Sequence, residues 1–446
     1  MKSVLKTIFR RGSIFLSGLA ALGFGVLMVV SNWRKISRAD VVMIHGTGGF
    51  GYTITTPDLL RRDRVGQRIV IFFAYVPGTH NREINKIWPD VDLIFIPVAF
   101  RRPFARQSHP YDEHAPMIAL LPFSNAWRNT LFRLIGKCLR VAMSSQRVIF
   151  DEEYFESFFD LEIPKGRSSH DHWLPAYFRL LRDVPAAQLK LPEKDRRLVA
   201  SAVQRAAGRK TKLCCLYLRL RATTEQPDAY FRSGGDVASY CRAVKRLNER
   251  GYQVLLVGDR NLPPGLFTEF GGMFVDARSV NISNSLFYLY AATESQISIG
   301  ECGGGFWIGP INGIPSMMVN AYPFHVGWND MVLYFKILEQ GDGRVVPAEK
   351  IFEQYGEDVV HADLKVLENG AAELEAAITH FADSVERGSG FGVRAINVPG
   401  VKAHYWSAVS DSYISPIWLA LYGSDQPLRA EERAAKAELL LHRQGG

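Results

Sequence analysis

A glycine-rich stretch between two apolar runs is the first place in this sequence where we expect chemistry. Residues 300–305 contain four glycines, directly after the apolar run that ends at Ile299. Because glycine has no Cβ, a backbone built from it can lie close to a ligand. A short helix is predicted to begin after this loop, and the unpaired N–H groups at a helix start suit a diphosphate. We therefore predict that Gly303, Gly304 and Gly305 hold the phosphates of an activated sugar; the alternative is a tight turn without a ligand.

Three other predicted strands in the second half of the chain end in residues that could bind the same ligand. Arg219 follows the strand Leu213–Leu218, Gly258 and Asp259 follow Gln253–Val257, and Asp276 follows Met273–Val275. Strands and helices alternate throughout this half, which predicts a doubly wound sheet whose ligands bind at the carboxyl ends of the strands. The predicted donor-binding residues are Arg219, Gly258, Asp259, Asp276, Glu301, Gly303, Gly304 and Gly305.

Each of these roles has a simpler structural alternative. The guanidinium of Arg219 carries a permanent charge and a fork of donors that suits phosphate, but it could instead pair with a carboxylate across the sheet. The carboxylates of Asp276 and Glu301 are predicted to accept hydrogen bonds from ribose hydroxyls or the base, but either could cap a helix. No D-x-D motif suggests a metal-bound donor, so we expect a reaction without a metal ion or other cofactor.

The first half of the chain is also predicted to open as an α/β domain. The apolar strand Val41–Ile44 ends in His45 and a glycine-rich loop, and two further apolar runs, Ile69–Ala74 and Leu93–Ile96, suit parallel strands covered on both faces. His45 and Asp58 flank that loop and are the candidates for a catalytic base; the alternative is a strand-end histidine without a catalytic role. The loop differs from the dinucleotide fingerprint, so NAD binding is not expected.

Two helices are predicted in this first half. Thr56 and Pro57 suit the N-cap and first positions of one. The other runs from Asn125 to about Ser145, and helical spacing places on one apolar face Trp127, Leu131, Leu134, Ile135 and Cys138. Its basic residues form either a lipid-facing or a solvated surface: Arg128, Arg133, Lys137 and Arg140.

Basic residues near the N-terminus account for most of the net charge. Residues 1–38 hold seven basic residues and no acidic one, so only +1 of the net +8 belongs to the rest of the chain. A nucleic-acid-binding surface is therefore not expected. The charges flank Ile14–Val30, an uncharged segment that we predict to be an uncleaved membrane anchor, either single-pass or monotopic. A cleaved signal peptide is the alternative, but no clear small-x-small cleavage site follows Val30.

The order of several short motifs between Leu213 and Pro323 resembles a bacterial family of glycosyltransferases found with surface-polysaccharide genes. The motifs are L-Y-L-R, D-V-A-S-Y-C-R-A-V-K-R-L, G-Y-Q-V-L-L-V-G-D, V-D-A, S-L-F-Y-L-Y-A-A, I-G-E-C-G-G-G and N-A-Y-P, and residues 412–416, S-Y-I-S-P, are similar to a further motif. The family usually has His-Val-Arg where this chain has Tyr217-Leu218-Arg219, so the arginine is present and the histidine is not. A more distant resemblance to fucosyltransferases implies that Arg219 contacts the donor diphosphate.

This resemblance implies the GT-B fold, in which two doubly wound, Rossmann-like α/β domains face a cleft. The segments expected are a membrane anchor at 1–38, an acceptor-side domain at 39–205, a nucleotide-sugar-binding domain at 206–395 and a helical extension at 396–446. The implied activity is transfer of a sugar from a nucleotide-sugar donor to a glycan or lipid-linked acceptor in surface-polysaccharide synthesis. The five cysteines, an odd number, suit a reducing compartment. We therefore expect the catalytic part in the cytoplasm, at the cell inner membrane.

Two other classes of function remain open on the sequence alone. In an α/β hydrolase, Cys302 would be the nucleophile of a G-x-C-x-G elbow and His45-Gly46 would open an oxyanion loop, with Asp330 and His361 as possible partners. About 250 residues separate the two motifs, which is far for one hydrolase sheet. The third class is a non-catalytic, membrane-tethered sugar-binding protein, which the missing family histidine would favour.

Overall fold

The structure, a computed structural model, divides the chain into two compact units, Met1–Leu180 and Leu181–Gly446. The residues it describes are 22–45, 52–75, 82–97, 125–151, 153–154, 183–185, 188–207, 211–219, 237–258, 272–322, 330–354, 364–398, 412–423, 428 and 430–444. Both units contain a parallel sheet with helices, so the prediction of an α/β fold with parallel sheets is confirmed.

The sheet of the first unit contains four parallel strands in the order β3-β2-β1-β4. The strands are β1 (Val41–His45), β2 (Ile69–Tyr75), β3 (Val91–Pro97) and β4 (Val148–Phe150). Every residue of β1 is buried, which explains why its sequence is apolar throughout and does not alternate. The neighbours of the first strand are the second and the fourth, so the topological switch point lies between β1 and β4.

Helices cover this first sheet. They are α1 (Trp33–Arg38), α2 (Tyr52–Asp63) and α3 (Asn125–Ala142), and residues 22–31 are helical as well. The predicted start of α2 at Thr56 and Pro57 is wrong, because the helix begins at Tyr52 and contains Pro57 in its interior. Burial of Thr53 and Ile54 in the unit explains the earlier start, since packing outweighs the local preference of proline.

The sheet of the second unit contains eight strands in the order β13-β14-β10-β9-β8-β5-β6-β7. All neighbouring pairs are parallel except β13 with β14. Counted from β5, the six strands β5 to β10 have the order 3-2-1-4-5-6, which is that of a doubly wound dinucleotide-type sheet. Its switch point lies between β5 and β8. The strands are β5 (Lys212–Leu218), β6 (Tyr252–Gly258), β7 (Phe274–Val275), β8 (Ile297–Gly300), β9 (Ser316–Ala321), β10 (Val332–Phe335), β13 (Val393–Arg394) and β14 (Tyr413–Ile414).

A separate antiparallel pair and eight helices complete the described part of the second unit. The pair is β11 (Ile337–Glu339) with β12 (Lys365–Leu367). The helices are α4 (Glu193–Ala207), α5 (Cys241–Glu249), α6 (Asn284–Glu294), α7 (Ile308–Ile311), α8 (Ala348–Gln354), α9 (Ala371–Arg387), α10 (Pro416–Tyr422) and α11 (Ala430–Gln444). Ser283 caps α6, since its Oγ accepts a hydrogen bond from the N–H of Leu286 at 3.3 Å.

Candidate functional site

Two strand ends are tied together at the switch point of the second sheet. The backbone N–H of Arg219, just after β5, donates to Oε2 of Glu301 at 2.8 Å. The backbone N–H of Glu301, just after β8, donates to the carbonyl of Tyr217 at 3.1 Å. Ligands of doubly wound sheets bind in the crevice outside this pair of strand ends. These two hydrogen bonds therefore set the geometry of the place where a ligand is expected.

Glu301 is buried, and its carboxylate is held by the protein. The hydroxyl of Tyr240 donates to Oε1 at 2.6 Å, while Oε2 accepts from Arg219. Burial raises the pKa of Tyr240 well above its usual value, and the neighbouring Glu301 charge adds to the shift, so this phenol stays protonated and remains a donor. Glu301 was predicted to accept hydrogen bonds from the donor sugar's nucleotide. The geometry instead gives it the task of positioning the backbone of Arg219.

The network continues into the neighbouring strand through two asparagines. Nδ2 of Asn320 donates to the hydroxyl of Tyr240 at 3.0 Å, and Oδ1 of Asn320 accepts from the N–H of Asn369 at 2.8 Å. Nδ2 of Asn369 in turn donates to the carbonyl of Phe335 at 3.0 Å. No functional role was predicted for these residues or for Tyr240. Asn320 is a polar residue near the end of the largely apolar strand Ser316–Ala321, and this position is the feature of the sequence that indicates a role for it.

The guanidinium of Arg219 lies beside the glycine-rich loop. Its Nη1 donates to the carbonyl of Cys302 at 3.4 Å, and the residue is half-buried. In the part of the chain that the structure describes, no carboxylate forms an ion pair with this side chain. The alternative of an ion pair across the sheet is therefore not realised among those residues.

The glycines of the loop are required by a side chain of the protein. A Cβ at Gly305 would lie 2.4 Å from Cε2 of Tyr217, and one at Gly303 would lie 3.0 Å from its hydroxyl oxygen. At Gly300 a Cβ would lie 2.9 Å from the Cβ of Tyr217. We predicted that these glycines make room for a ligand, but at these three positions the close neighbour is the Tyr217 side chain, around which the loop folds.

The loop still offers donors to an anion. Gly304–Phe306 forms a short 3-10 helix, followed by α7. The first N–H groups of a helix have no acceptor within it, so those of Gly304 and Gly305 are the loop's candidate contacts to phosphate. Tyr288 fixes the loop from behind by donating a hydrogen bond to the carbonyl of Gly305.

The remaining predicted donor residues lie farther along the sheet. Gly258 ends β6 with φ of 121°, and a Cβ there would lie 2.0 Å from the carbonyl oxygen of Leu218, so strand packing explains this glycine. Asp276 follows the edge strand β7, and its Oδ1 accepts from the N–H of Ser279 at 2.8 Å in a local turn. Asp259 lies outside the described residues. Gly258 pairs in register with Leu218 and so lies next to Arg219, on the side of β5 away from β8, whereas Asp276 lies farther away, after the edge strand β7.

The switch point of the first sheet carries a histidine and a carboxylate. His45 ends β1, and Asp151 follows β4 directly. Nδ1 of His45 lies 2.5 Å from Oδ2 of Asp151, and Nε2 lies 3.3 Å from Oγ1 of Thr56. The histidine is buried, with the ring of Phe73 in edge contact at 4.9 Å. A carboxylate on Nδ1 fixes the tautomer and leaves Nε2 as the basic atom, which is the arrangement of an oriented general base.

Asp58, the second predicted base, is engaged elsewhere. Its Oδ2 accepts from Nε of Arg62 at 2.7 Å, and both side chains are buried in α2. A carboxylate in such a charge-assisted pair already has an ionic partner within its own helix. Of the two candidates, the structure therefore favours His45.

The sequence does contain one D-x-D motif, Asp90-Val91-Asp92 in the first unit, which the expectation of a metal-free reaction did not take into account. Its two aspartates lie at the start of β3, at the end of the sheet away from His45. Oδ1 of Asp92 lies 2.7 Å from Nζ of Lys35, and Oδ2 of Asp90 lies 3.8 Å from Nε of Arg61. This pair is held by basic residues at the amino ends of parallel strands, which is the wrong end for a ligand site.

The hydrolase alternative conflicts with the sheet topology. Its nucleophile Cys302 follows β8 in the second sheet, whereas His45 ends β1 in the first. A hydrolase places its nucleophile elbow and oxyanion loop on one sheet. The suggested acid Asp330 pairs with Arg394 at 2.8 Å, and His361 lies outside the described residues.

Comparison with known proteins gives only distant similarities. No protein-family model matches the sequence, and no curated protein matches it. Among solved structures, a family 9 glycosyl transferase from Veillonella parvula DSM 2008 is similar with a TM-score of 0.35 and 11% identity, over 63% of this chain and 81% of that one. The E. coli ADP-heptose LPS heptosyltransferase II gives a TM-score of 0.33 and 15% identity, over 62% and 84%. The NodZ α-1,6-fucosyltransferase soaked with GDP-fucose gives 0.28 and 10%, over 61% and 92%. TM-scores in this range describe only a partial overlap of the backbones, so they do not indicate the function of this chain.

Proposed function

We propose that this chain is a glycosyltransferase that takes its sugar from a nucleoside diphosphate donor. The observation that carries the proposal is the placement of Arg219 at the switch point of the second sheet. There its guanidinium has no carboxylate partner among the described residues, and its Nη1 donates to the carbonyl of Cys302, which directly precedes the glycines of the loop. The motif resemblance between Leu213 and Pro323 supports the same class of donor.

The proposed binding site for the diphosphate of the sugar donor combines one permanent charge with backbone N–H groups. A departing diphosphate gains negative charge as the glycosidic bond breaks, and a guanidinium beside helix-start N–H groups stabilises that charge. The hydrogen bond from the backbone N–H of Arg219 to the carboxylate of Glu301 holds this geometry before the sugar donor binds. A charge-assisted hydrogen bond of this kind contributes about 1.5–3 kcal/mol.

The base in this proposal is His45. Inverting transfer needs a group that removes the proton from the acceptor hydroxyl as the bond to the sugar forms. Nε2 of His45 suits this task because Asp151 holds Nδ1. The hydroxyl of Thr56 lies 3.3 Å from Nε2, and in this proposal an acceptor hydroxyl takes its place. In this proposal the first unit carries the base for the acceptor, and the second unit carries the residues that hold the sugar donor.

The finer parts of the proposal rest on the sequence. The motif resemblance supports a glycan or lipid-linked acceptor and a role in bacterial surface-polysaccharide synthesis. We also propose that the reaction needs no metal ion. The ion pairs of Asp90 and Asp92 with Arg61 and Lys35 are consistent with that proposal.

A donor screen tests the proposed class. The full-length protein is heated with UDP-, GDP-, CDP- or dTDP-sugars, and the melting temperature is followed. A ligand that binds only the folded state raises it in proportion to the logarithm of ligand concentration. We expect one nucleotide class to raise the melting temperature and the matching free monosaccharide not to. If no nucleotide sugar raises it at any concentration, the proposed donor class is wrong.

A further inference from the structure

The helix formed by residues 22–31 lies directly on α3 and leaves its other side exposed. On the inner side, Leu22, Met28 and Val29 pack against the core of the first unit, and Gly25 is buried. A Cβ at Gly25 would lie 3.2 Å from Cδ1 of Ile135, so the two helices are in close contact at this glycine. The outer side is apolar as well: Val26, Leu27 and Val30 are 54%, 56% and 66% exposed.

Helix α3 extends this apolar surface. We predicted that Leu134 and Cys138 face the core together with Leu131 and Ile135. The structure buries Leu131 and Ile135, but Leu134 and Cys138 are exposed. Val141 lies seven residues after Leu134, on the same side of the helix, and is 89% exposed. The apolar face therefore spans residues 22–31 and the Leu134–Val141 edge of α3.

Basic residues surround the apolar face. Three basic residues are exposed directly after the helix: Arg34, Lys35 and Arg38. Nζ of Lys35 also forms an ion pair with Oδ1 of Asp92 at 2.7 Å. On α3, Arg133 and Lys137 are exposed next to Leu134. Neither residues 1–38 nor α3 contain an acidic residue. An apolar face next to these basic residues matches the acyl region and the phosphate groups of an anionic lipid leaflet.

The packing of this helix against α3 limits how it can meet a bilayer. Among the described residues, no helix has the length and apolarity needed to cross a membrane. One side of residues 22–31 is also covered by α3, so that side cannot face lipid while the unit stays folded.

We propose that the first unit docks in the plane of an anionic bilayer through this composite face, with helix 22–31 and α3 both in contact with lipid. This differs from tethering by the N-terminal segment alone, because part of the membrane contact belongs to the folded domain, about a hundred residues farther along the chain. The inference does not depend on the proposed activity.

The test is flotation of the full-length protein with vesicles of phosphatidylcholine, with or without phosphatidylglycerol. We expect binding to the anionic vesicles, weakened about tenfold by Leu27→Glu and by Leu134→Glu, since each places a carboxylate in the contact face. Lys137→Ala should weaken it about fivefold, on anionic vesicles alone. Val65→Glu is the matched control, because Val65 is 72% exposed in the same unit but outside the face, and it should bind like the wild type. Thermal melting confirms that each variant is folded.

Three results would overturn the inference. If Leu134→Glu binds like the wild type while Leu27→Glu does not, the N-terminal segment inserts alone and α3 does not meet lipid. If neither variant changes binding, the membrane contact lies elsewhere. If the protein does not bind vesicles, and Leu27→Glu converts a dimer to a monomer in light scattering, a second copy of the chain covers the apolar face.

Discussion

His45 and Asp151 meet across the first and fourth strands of the first sheet, with Nδ1 of the histidine 2.5 Å from Oδ2 of the aspartate. The backbone N–H of Arg219 and the carboxylate of Glu301 meet across β5 and β8, which are the first and fourth strands of the second sheet. Each unit thus places a hydrogen-bonded pair of residues at its topological switch point. In the proposed function, the first pair moves a proton and the guanidinium of Arg219 holds an anion, which are two of the requirements of glycosyl transfer.

The base assignment predicts a specific loss of turnover. His45→Gln should lower the transfer rate about 10²–10⁴-fold, because positioned acid–base catalysis contributes roughly that factor. Asp151→Asn should also lower it, since an amide can favour the wrong histidine tautomer. Donor affinity should stay unchanged in both variants, and steady-state kinetics separates the two effects. A normal rate in both variants would remove His45 from the reaction.

The buried carboxylate of Glu301 predicts a loss of both stability and donor affinity. In Glu301→Gln the side chain keeps its shape, but an amide can no longer accept from both Tyr240 and the N–H of Arg219. One buried donor is left without its acceptor, which costs about 1–3 kcal/mol. We expect a lower melting temperature and weaker nucleotide binding. Glu249→Gln on the exposed end of α5 is the control, and equal melting temperatures for the two variants would contradict the network.

The contact between Tyr217 and the glycine loop predicts coupled mutations. Gly305→Ala puts a Cβ within 2.4 Å of the ring and should destabilise the protein by about 1–3 kcal/mol. In a Tyr217→Ala background the same change should cost far less, because the ring is gone. Gly341→Ala, at a position with open space, should be nearly neutral. Denaturant titration measures all four, and simple additivity of Gly305→Ala and Tyr217→Ala would show that the ring is not the obstacle.

Glu373 predicts a pH dependence of stability. Burial raises the pKa of its carboxyl above the usual 4.5, although Gly370, Arg433 and Tyr422 oppose the shift. A raised pKa means that the folded state holds the proton more tightly than the unfolded state. Its contribution is therefore fully present below pH about 4.5 and is lost as the pH rises through the higher folded value.

The variant Glu373→Gln should remove that fall in stability. We expect its melting temperature to change less than that of the wild type between pH 4.5, the ordinary value of this carboxyl, and neutrality. Differential scanning calorimetry across this range measures the difference. Parallel curves for the two proteins would show that Glu373 does not contribute to the slope.

The sequence predicts strands far better than it predicts the contacts of the site. Continuous apolar runs such as Ile69–Ala74 identify buried parallel strands, because burial on both faces leaves no alternation. The position of Arg219 after a strand places it at the correct edge of the sheet, since strand ends share that edge. What holds Arg219 could not be predicted, because Tyr240, Asn320 and Glu301 come from separate parts of the chain. We predicted that Gly303 and Gly305 make room for a ligand. A phosphate and a packed tyrosine ring both require a glycine at such a position, so the sequence does not distinguish them.

The proposed contact between Arg219 and the donor diphosphate at the second switch point is the part of the proposed function on which the rest depends. It is tested most directly by calorimetric titration of the nucleoside diphosphate selected in the donor screen into wild type, Arg219→Ala, Arg219→Lys and the exposed control Arg344→Ala. We predict that Arg219→Ala weakens binding about 10–150-fold, the equivalent of about 1.5–3 kcal/mol, and that Arg219→Lys recovers part of it. The Arg344→Ala control should bind like the wild type, and the nucleoside without phosphates should bind all four proteins alike. If folded Arg219→Ala binds the diphosphate with wild-type affinity, Arg219 does not hold the donor diphosphate.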